Sequence, residues 1–292
     1  LDDEIAWILE LGIEVQTGKV FGRDFSWDDL KKQGFDACFL AVGADKASSM
    51  RLDFENETEG VYRGIEFLRD VELLDRPRIS GTAVVVGGGN TAIDAARTAL
   101  RSGAEKVKIV YRRSLAEMPA HIEEIQAAQH EGVEILFLTN PVSLIRDGGR
   151  LKGIRCAKMK LEEVPGERPR PVPIPGAEID VACNVVIGAI GQQVDASFAE
   201  GAPEIDLERW GTAIVDKNTL ESNVPGVFAG GDLVNGPLTA ISAIAHGGRA
   251  AFSIDHYLRF GEAKAGAFKF YSFKHRFNEV TPQELADRKS VV

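Results

Sequence analysis

The feature that most constrains the fold is a buried strand that runs into a glycine-rich turn and then into a helix. Thr82 to Val86 (TAVVV) is an apolar run of strand length, and Gly87 to Gly89 follows it directly. Small apolar residues then recur at helical spacing from about Thr91 to Arg101. A short continuous apolar run is typical of a strand that is buried on both faces. These elements therefore predict the start of a parallel sheet with helices packed on it.

The same alternation continues along the chain. Lys106 to Tyr111 (KVKIVY) predicts a second strand, His121 to His130 a second helix, and Val133 to Leu138 a third strand. Strand, helix, strand, helix and strand within roughly 55 residues form the mononucleotide-binding half of a doubly wound α/β sheet. The fold class predicted for this part of the chain is therefore α/β and Rossmann-like.

The pattern changes after the third strand. Short apolar segments between Val142 and Ile187 are separated by Asp147 to Gly149 and by a proline-rich stretch, Pro165 to Pro175. This pattern predicts an antiparallel meander. The parallel sheet is expected to resume at Val185 to Ile190, and Gly191 at the end of that strand is a further candidate cofactor-binding residue.

The glycine turn has the spacing of a dinucleotide-binding motif, Gly87-x-Gly89-x-x-Ala92. In this motif the first glycine permits a tight turn, the second lets the backbone approach a pyrophosphate, and a small third residue lets helix and strand pack closely. Free amides and the helix dipole would then bind the anion. The alternative is a glycine-rich turn without a ligand. The candidate cofactor-binding residues are Gly87, Gly88, Gly89, Asn90 and Thr91.

Charge at the end of the second strand indicates which nucleotide binds. An NAD site usually places an acidic side chain there to accept from the ribose 2′-hydroxyl. This chain has Arg112 and Arg113 at that position. Guanidinium groups suit a 2′-phosphate through bidentate, charge-assisted hydrogen bonds, so the sequence favours NADP(H). The alternative is a pair of solvated surface arginines.

The remaining segments predict a second unit that is interrupted by the first. Before the turn we expect a helix at Leu1 to Leu11, a strand at Ile13 to Gln16, a strand at Phe35 to Val42 that ends at Gly43, and a helix at Tyr62 to Leu74 closed by Arg76-Pro77. After it we expect a short strand from Ile214, a strand at Val227 to Ala229, and a helix from about Leu238 to Phe260. The predicted divisions are 1–78 and 205–260 for a partial FAD-type domain, 79–204 for the NADP(H)-binding domain inserted in it, and 261–292 for an unassigned tail.

Composition excludes several classes of function. The net charge of −10 and the pI near 5.1 disfavour binding to nucleic acid or to an anionic membrane surface. No apolar run approaches the roughly 18 residues of a membrane span, so we expect a cytoplasmic protein. Cys38, Cys156 and Cys183 are far apart, which excludes a CxxC redox pair and a self-contained zinc or iron–sulfur site. No metal site is predicted.

Three blocks of sequence resemble the glutamate synthase (NADPH) small-subunit family in the same order. The first, Val84 to Pro119, contains GGGNTAID and YRR and is followed by Ala120 to complete EMPA. The others are Phe39 to Ala44 (FLAVGA) and Asn223 to Asp255, which contains GVFAGGDLVNGPLTAISAIAHGGRAA. The resemblance covers about residues 1 to 260. It implies an FAD- and NADPH-dependent oxidoreductase that passes hydride from NADPH to FAD and electrons to a partner protein or an iron–sulfur centre.

The resemblance also implies a flavin site. The glycines Gly43 and Gly231 would allow close approach, and the Asp232 carboxylate would accept from a ribityl hydroxyl. A helix that begins near Leu238 and Thr239 would direct its positive end at the flavin. The alternative for Asp232 is a plain turn or helix cap.

The sequence departs from the family at its beginning. It has neither the cysteine-rich iron–sulfur segment nor the first GxGxxG that holds the FAD pyrophosphate, and its first residue is Leu1. The expectation is therefore a family member without its N-terminal portion, in which FAD binds weakly or not at all to this chain alone.

Two other functions remain open from the sequence. The chain could be an NADP(H)-binding fragment that has no catalytic activity, or a simple NADP-dependent dehydrogenase, for which no catalytic pair is evident. His246 lies at helical spacing from Ile241 and Ala250 and is interpreted as a packing residue rather than a general base. No catalytic residue is assigned, because hydride transfer to flavin depends mainly on orientation. The expected partner is an electron-accepting subunit like the large subunit of glutamate synthase, and a homodimer is also considered.

Overall fold

The computed structural model describes residues 2–74, 79–202 and 204–266. Its strands are β1 Cys38–Leu40, β2 Lys46–Ala47, β3 Val61–Arg63, β4 Thr82–Val86, β5 Lys106–Val110, β6 Glu134–Leu136, β7 Thr139–Asp147, β8 Arg150–Glu162, β9 Arg170–Ala182, β10 Val185–Gly188, β11 Gln192–Gln193 and β12 Val227–Ala229. Its α-helices are α1 Asp2–Leu9, α2 Trp27–Lys32, α3 Gly64–Leu74, α4 Asn90–Arg101, α5 Ile122–His130, α6 Asp232–Asn235 and α7 Ala240–Phe260.

A parallel sheet of five strands, in the order β3-β10-β4-β5-β6, forms the centre of the larger unit. The strands β4, β5 and β6 follow one another outward, and β10 lies on the other side of β4. This is the strand order of one half of a doubly wound sheet, so the predicted α/β fold class is confirmed.

Alternate residues of β4 face two different layers. Ala83 and Val85 pack under the helices α3, α4 and α5, while Val84 and Val86 face the antiparallel sheet. All four are buried, with at most 4% of their surface exposed. Burial of each valine side chain contributes roughly 1.5–3 kcal/mol, which explains the continuous apolar run of the sequence.

The predicted antiparallel meander is present as the sheet β7-β8-β9. The proline-rich stretch, Pro165 to Pro175, was expected to separate the strands of this meander, but its second half lies within β9, where Pro171 and Pro173 pair with Leu161 and Met159. Proline lacks a donor and is tolerated on an edge strand, which is the place of β9 in this sheet.

The smaller unit contains the parallel pair β1 and β12. The core beneath it joins α2, the 3-10 helix Ala196–Gly201 and β12. The long helix α7 packs on β12, with the rings of Phe228 and Tyr257 6.0 Å apart. The short antiparallel pair β2 and β11 lies where the chain passes from one unit to the other.

Two predicted strands do not form. Ile13 to Gln16 has no strand structure, and Ile13 and Val15 are more than half exposed, since no described strand lies beside them to pair. The segment from Ile214 makes only an isolated bridge, between Val215 and Ser222. Leu1, Arg76-Pro77 and the tail beyond residue 266 lie outside the described residues.

The division of the chain into domains stays a prediction. The strand β3 pairs with β10 and the helix α3 packs against α4, although both precede the predicted boundary at residues 78 and 79. This packing favours a boundary before Val61. None of the described helices is both long enough and apolar enough to cross a membrane.

Candidate functional site

Two of the three turn glycines are required by the packing of the protein itself. Gly87 has a φ of +148°, and a Cβ there would lie 2.2 Å from the carbonyl oxygen of Ala189. A Cβ on Gly88 would lie 2.4 Å from the ring of Tyr111. Neither position has room for a side chain, so these glycines let β4, β5 and β10 converge under the turn.

Gly89 differs from its neighbours because, apart from the adjacent backbone, no atom of the described residues lies within 4 Å of its Cβ position. It is the N-cap of α4, with extended backbone angles of −88° and 176°, and no described side chain caps this helix. The first turn of α4 carries no acidic residue, and Thr91 within it is half-buried. A free helix N-terminus beside open space is the environment that binds a phosphate group.

Asn90 has a structural contact in this structure. Its Oδ1 accepts a hydrogen bond from the backbone N–H of His121 at 3.1 Å, and Ala120 N–H donates to the Gly88 carbonyl at 3.1 Å. These bonds hold the EMPA segment beside the glycine turn. Asn90 therefore shapes the wall of the site.

The arginine pair follows β5, as predicted, at the carboxyl end of the sheet. Arg112 is exposed and makes no hydrogen bond or ion pair with any residue that the structure describes. Arg113 is half-buried and donates from Nε to the carbonyl of Pro169 at 3.0 Å. One arginine is therefore available to an anion, and the other also holds the hairpin between β8 and β9.

A second site lies at the carboxyl ends of β1 and β12. It is a cleft of about 370 Å³. Five of its lining residues were predicted as flavin-binding from the sequence, and the structure brings all five together: Gly43, Gly231, Asp232, Leu238 and Thr239. The cleft is also lined by Gly230, which the sequence analysis places in the same glycine turn as Gly231, and by Phe39, Ala41, Ala240 and Ala243, to which it gave no role.

Local hydrogen bonds shape this cleft. Asp232 Oδ1 accepts from the Leu238 N–H at 3.1 Å, so the carboxylate caps the turn with one oxygen, and its other oxygen has no hydrogen-bond partner among the described residues. Thr239 is the N-cap of α7, and its hydroxyl accepts from Ser242 N–H at 3.3 Å. The predicted helix start near Leu238 and Thr239 is therefore correct, and the positive end of α7 faces the cleft.

His246 holds the glycine turn of this cleft through a hydrogen bond to its backbone. Its Nδ1 accepts from the Gly231 N–H at 3.0 Å, and Nε2 lies 3.3 Å from the side-chain amide of Asn235. A ring that accepts at Nδ1 carries its proton on Nε2, so the Asn235 amide must present its oxygen. The sequence-based interpretation of His246 as a packing residue agrees with these contacts, and the hydrogen bonds add a positioning role.

The pH dependence of stability tests this role. Burial, together with the nearby Arg249, lowers the pKa of His246 below its ordinary 6.5. The folded state favours the neutral ring, so its stabilising contribution is complete above about pH 6.5 and is lost as pH falls toward the folded pKa. We expect His246→Gln, whose side chain keeps a hydrogen-bond acceptor and a donor but does not titrate, to flatten the fall in the free energy of unfolding between about pH 7.5 and pH 5. Urea unfolding of both proteins measures this, and parallel pH profiles would contradict it.

Gly191 lies beside the β2–β11 pair and does not line the cleft at the ends of β1 and β12. It has a φ of +113°, and its carbonyl accepts from Ser48 N–H at 3.0 Å beside the β2–β11 pair. Its role as a cofactor-binding residue stays a prediction.

The cysteines have no redox arrangement. Burial raises the pKa of Cys38 to about 11 and those of Cys156 and Cys183 to about 12. A thiol must ionise to attack a disulfide, so these side chains are unreactive near neutral pH. Among the described residues no three His, Cys, Asp or Glu side chains cluster as a metal site.

A parallel sheet that ends in a glycine turn, joined to a second glycine-lined cleft, is an arrangement with which α/β proteins bind nucleotides. The family described as pyridine nucleotide-disulphide oxidoreductase matches residues 1–247, and the chain belongs to this family. The members of this family are enzymes. The family and its NADPH-dependent flavin oxidoreductases support the predicted cofactors, NADP(H) and FAD.

The relatives agree with the predicted resemblance. The chain is 47% identical over 264 residues to the NADP(+)-dependent formate dehydrogenase subunit beta of Moorella thermoacetica, which covers 89% of this chain and 37% of that protein. It is 34% identical over 265 residues to the glutamate synthase [NADPH] small chain of Escherichia coli (strain K12), which covers 85% and 56% respectively. The chain thus spans about half or less of the length of these relatives, and the resemblance to the small-subunit family is confirmed.

A solved structure shows the same fold. Mycobacterium tuberculosis FprA in complex with NADPH matches with a TM-score of 0.69 over 85% of this chain and 70% of that one. The sequence identity is 16%, so this likeness concerns the fold.

Proposed function

We propose that this chain carries the NADPH-oxidising module of a flavoprotein, in which NADPH bound at the Gly87 turn reduces FAD bound at the Gly231 cleft. The observation that carries this proposal is that two glycine-lined sites stand at the carboxyl ends of two parallel sheets joined by the β2–β11 pair. Ligands of open α/β sheets bind at such ends.

The nicotinamide nucleotide site is proposed from charge and open space. The N-terminus of α4 and the space over Gly89 suit the pyrophosphate, and Arg112 with Arg113 suits the 2′-phosphate. The acidic side chain that would select NAD is replaced by these arginines.

The flavin site is proposed from the second cleft. Gly43 has a φ of +76° and nothing within 4 Å of its Cβ position, so a ring can approach the backbone there. The free oxygen of Asp232 suits a ribityl hydroxyl, and the N-terminus of α7 suits the negative charge of a reduced flavin. Bound FAD supplies the chemistry, because it accepts hydride and releases electrons to an acceptor. The protein binds and orients NADPH and FAD, and hydride transfer between them needs no acid or base from the chain.

The electron acceptor is proposed to be another subunit. The relatives are named as a subunit beta and a small chain, which describes proteins that work within larger assemblies. The 34% identity to the glutamate synthase small chain supports an acceptor like the large subunit of glutamate synthase. The 47% identity to the formate dehydrogenase subunit beta supports a formate dehydrogenase subunit as the partner.

Anaerobic reduction tests the proposal. FAD is expected to bind weakly to this chain alone, so the purified protein is mixed with NADPH in the presence of excess FAD. We expect the visible absorbance of the flavin to bleach with NADPH and to bleach more slowly with NADH at equal concentration. Asp232→Leu, which removes the carboxylate at the cleft, should weaken FAD binding in a fluorescence titration while leaving NADPH binding intact. NADPH binding without bleaching beyond that of a protein-free control would favour an NADP(H)-binding module without activity.

A further inference from the structure

Two arginines hold the β8–β9 hairpin against the arginine turn, which is the segment from Arg112 to Glu117 after β5, through reciprocal hydrogen bonds. Arg113 in the turn donates to the carbonyl of Pro169 in the β8–β9 hairpin. Arg168 in that hairpin donates back to the carbonyl of Glu117 in the turn. Sequence positions more than 50 apart therefore meet at one place, at the carboxyl end of β5.

This place carries positive charge that the protein does not neutralise. Arg112, Arg113 and Arg168 form no ion pair with any carboxylate that the structure describes, although the net charge of the chain is −10. Other arginines are paired, such as Arg97 with Glu124 and Arg155 with Asp180. Three guanidinium groups without carboxylate partners in an acidic protein form a site for an anion.

The acidic residues nearby remove only part of this charge. The carboxylate of Glu117 accepts from both the N–H and the hydroxyl of Ser114, and these bonds, together with the nearby Arg113, hold the pKa of Glu117 below its usual range. The ionised carboxylate offsets part of the charge of Arg113, while Arg112 and Arg168 keep theirs. Glu163 and Glu167 lie in the same hairpin and make no ion pair with Arg168.

The guanidinium of Arg168 keeps donors for a ligand. A guanidinium has five N–H donors, and the bond to Glu117 occupies one group of Arg168. The same Glu117 carbonyl accepts from the hydroxyl of Tyr111 at 2.6 Å, and the Tyr111 ring lies against Gly88 in the glycine turn. Arg168 therefore lies one side chain away from the turn proposed to hold the pyrophosphate.

We infer that Arg168 is a specificity-determining residue, and that the β8–β9 hairpin forms a second wall of the site for the phosphate on the adenosine ribose. This inference rests on the proposed function for NADP(H). Arg112 and Arg113 contact the phosphate from the turn, and Arg168 contacts it from the hairpin. The antiparallel meander then favours NADP(H) over NAD(H), in addition to covering one face of the parallel sheet.

Titration with two adenosine fragments tests this inference directly. The probes are 2′,5′-ADP, which has the ribose phosphate, and 5′-AMP, which lacks it. We expect Arg168→Gln to weaken 2′,5′-ADP binding about tenfold and to leave 5′-AMP binding unchanged, because only one probe carries the group that Arg168 contacts. Arg168→Lys keeps the charge and should retain part of the preference.

A matched control removes an arginine elsewhere. Arg209 is stacked near Trp210, 5.3 Å from its ring, and also has no carboxylate partner among the described residues, so Arg209→Gln changes the net charge equally and should alter neither affinity. Equal loss of both probes in Arg168→Gln would overturn the inference in favour of a merely structural role, and so would full retention of the preference. Equal binding of both probes by the unaltered protein would instead overturn the proposed NADP(H) site.

Discussion

Gly89→Val is expected to weaken NADPH binding by about a hundredfold or more, roughly 2.7 kcal/mol, while the melting temperature falls only slightly. The backbone of Gly89 has extended angles that valine also adopts, and its Cβ would point into open space. The fold therefore avoids a clash and loses only the better capping of α4 by glycine than by valine. The branched side chain would cover the free amides of α4 and occupy the space proposed for the pyrophosphate. Isothermal titration with NADPH and a thermal melt measure the two effects separately.

Gly87→Val provides the matched control, with the opposite balance of effects. The same substitution two residues earlier would place a Cβ 2.2 Å from the Ala189 carbonyl oxygen at a φ of +148°. Strain of this kind costs about 1–3 kcal/mol, and the clash with the backbone adds to it, so the melting temperature should fall clearly. If Gly89→Val binds NADPH as tightly as the unaltered protein, the pyrophosphate is held elsewhere.

The three turn glycines show what the sequence can and cannot predict. Their spacing after a buried strand predicted the turn, and the structure confirms it from β4 to α4. The spacing assigned the close packing to Ala92, whereas the structure shows that Gly87 and Gly88 also face side chains and backbone of neighbouring strands. Those neighbours, Ala189 and Tyr111, come from elsewhere in the chain, and the sequence does not show which atoms they bring.

Local patterns predicted most of the larger unit because each of its elements carries its own signal. The bounds of β4 were predicted to the residue, and those of α4 and β5 to within one. The strand predicted at Ile13 to Gln16 fails for a physical reason, since a strand needs a neighbour and alternation alone does not supply one. Short strands such as β2 and β3 were missed because two or three residues carry no period.

The cleft proposed for the flavin was predicted through the resemblance rather than from periodicity. Gly43 and Asp232 are distant in the chain, and only the family pattern placed them together before the structure did. His246 and Arg168 could not be assigned their roles in the same way. His246 bonds to the backbone of Gly231, and Arg168 bonds to the backbone of Glu117. Every residue has backbone groups, so the sequence does not show which of them a side chain will contact.

Replacing both Arg112 and Arg113 by alanine is expected to erase a preference for NADPH over NADH of at least about tenfold, or ~1.4 kcal/mol. The preference arises because the ribose phosphate of NADPH meets guanidinium groups where an NAD site would have a carboxylate. NADH binding should change little, since its ribose hydroxyl does not need these charges. Titration of both nucleotides against both proteins gives the ratio.

The single variants separate charge from structure within this pair. Arg112 has no partner among the described residues, so Arg112→Ala should reduce the preference with no change in stability. Arg113→Ala also releases the bond to Pro169, so it should reduce the preference and loosen the hairpin that carries Arg168. The loss in the double variant should then exceed the loss from Arg112→Ala alone.

Raised salt should weaken NADPH binding more in the unaltered protein than in the double variant, because exposed charges are screened. Equal affinities for NADPH and NADH in the unaltered protein would show that the arginines are solvated surface residues and that the nucleotide is not selected here.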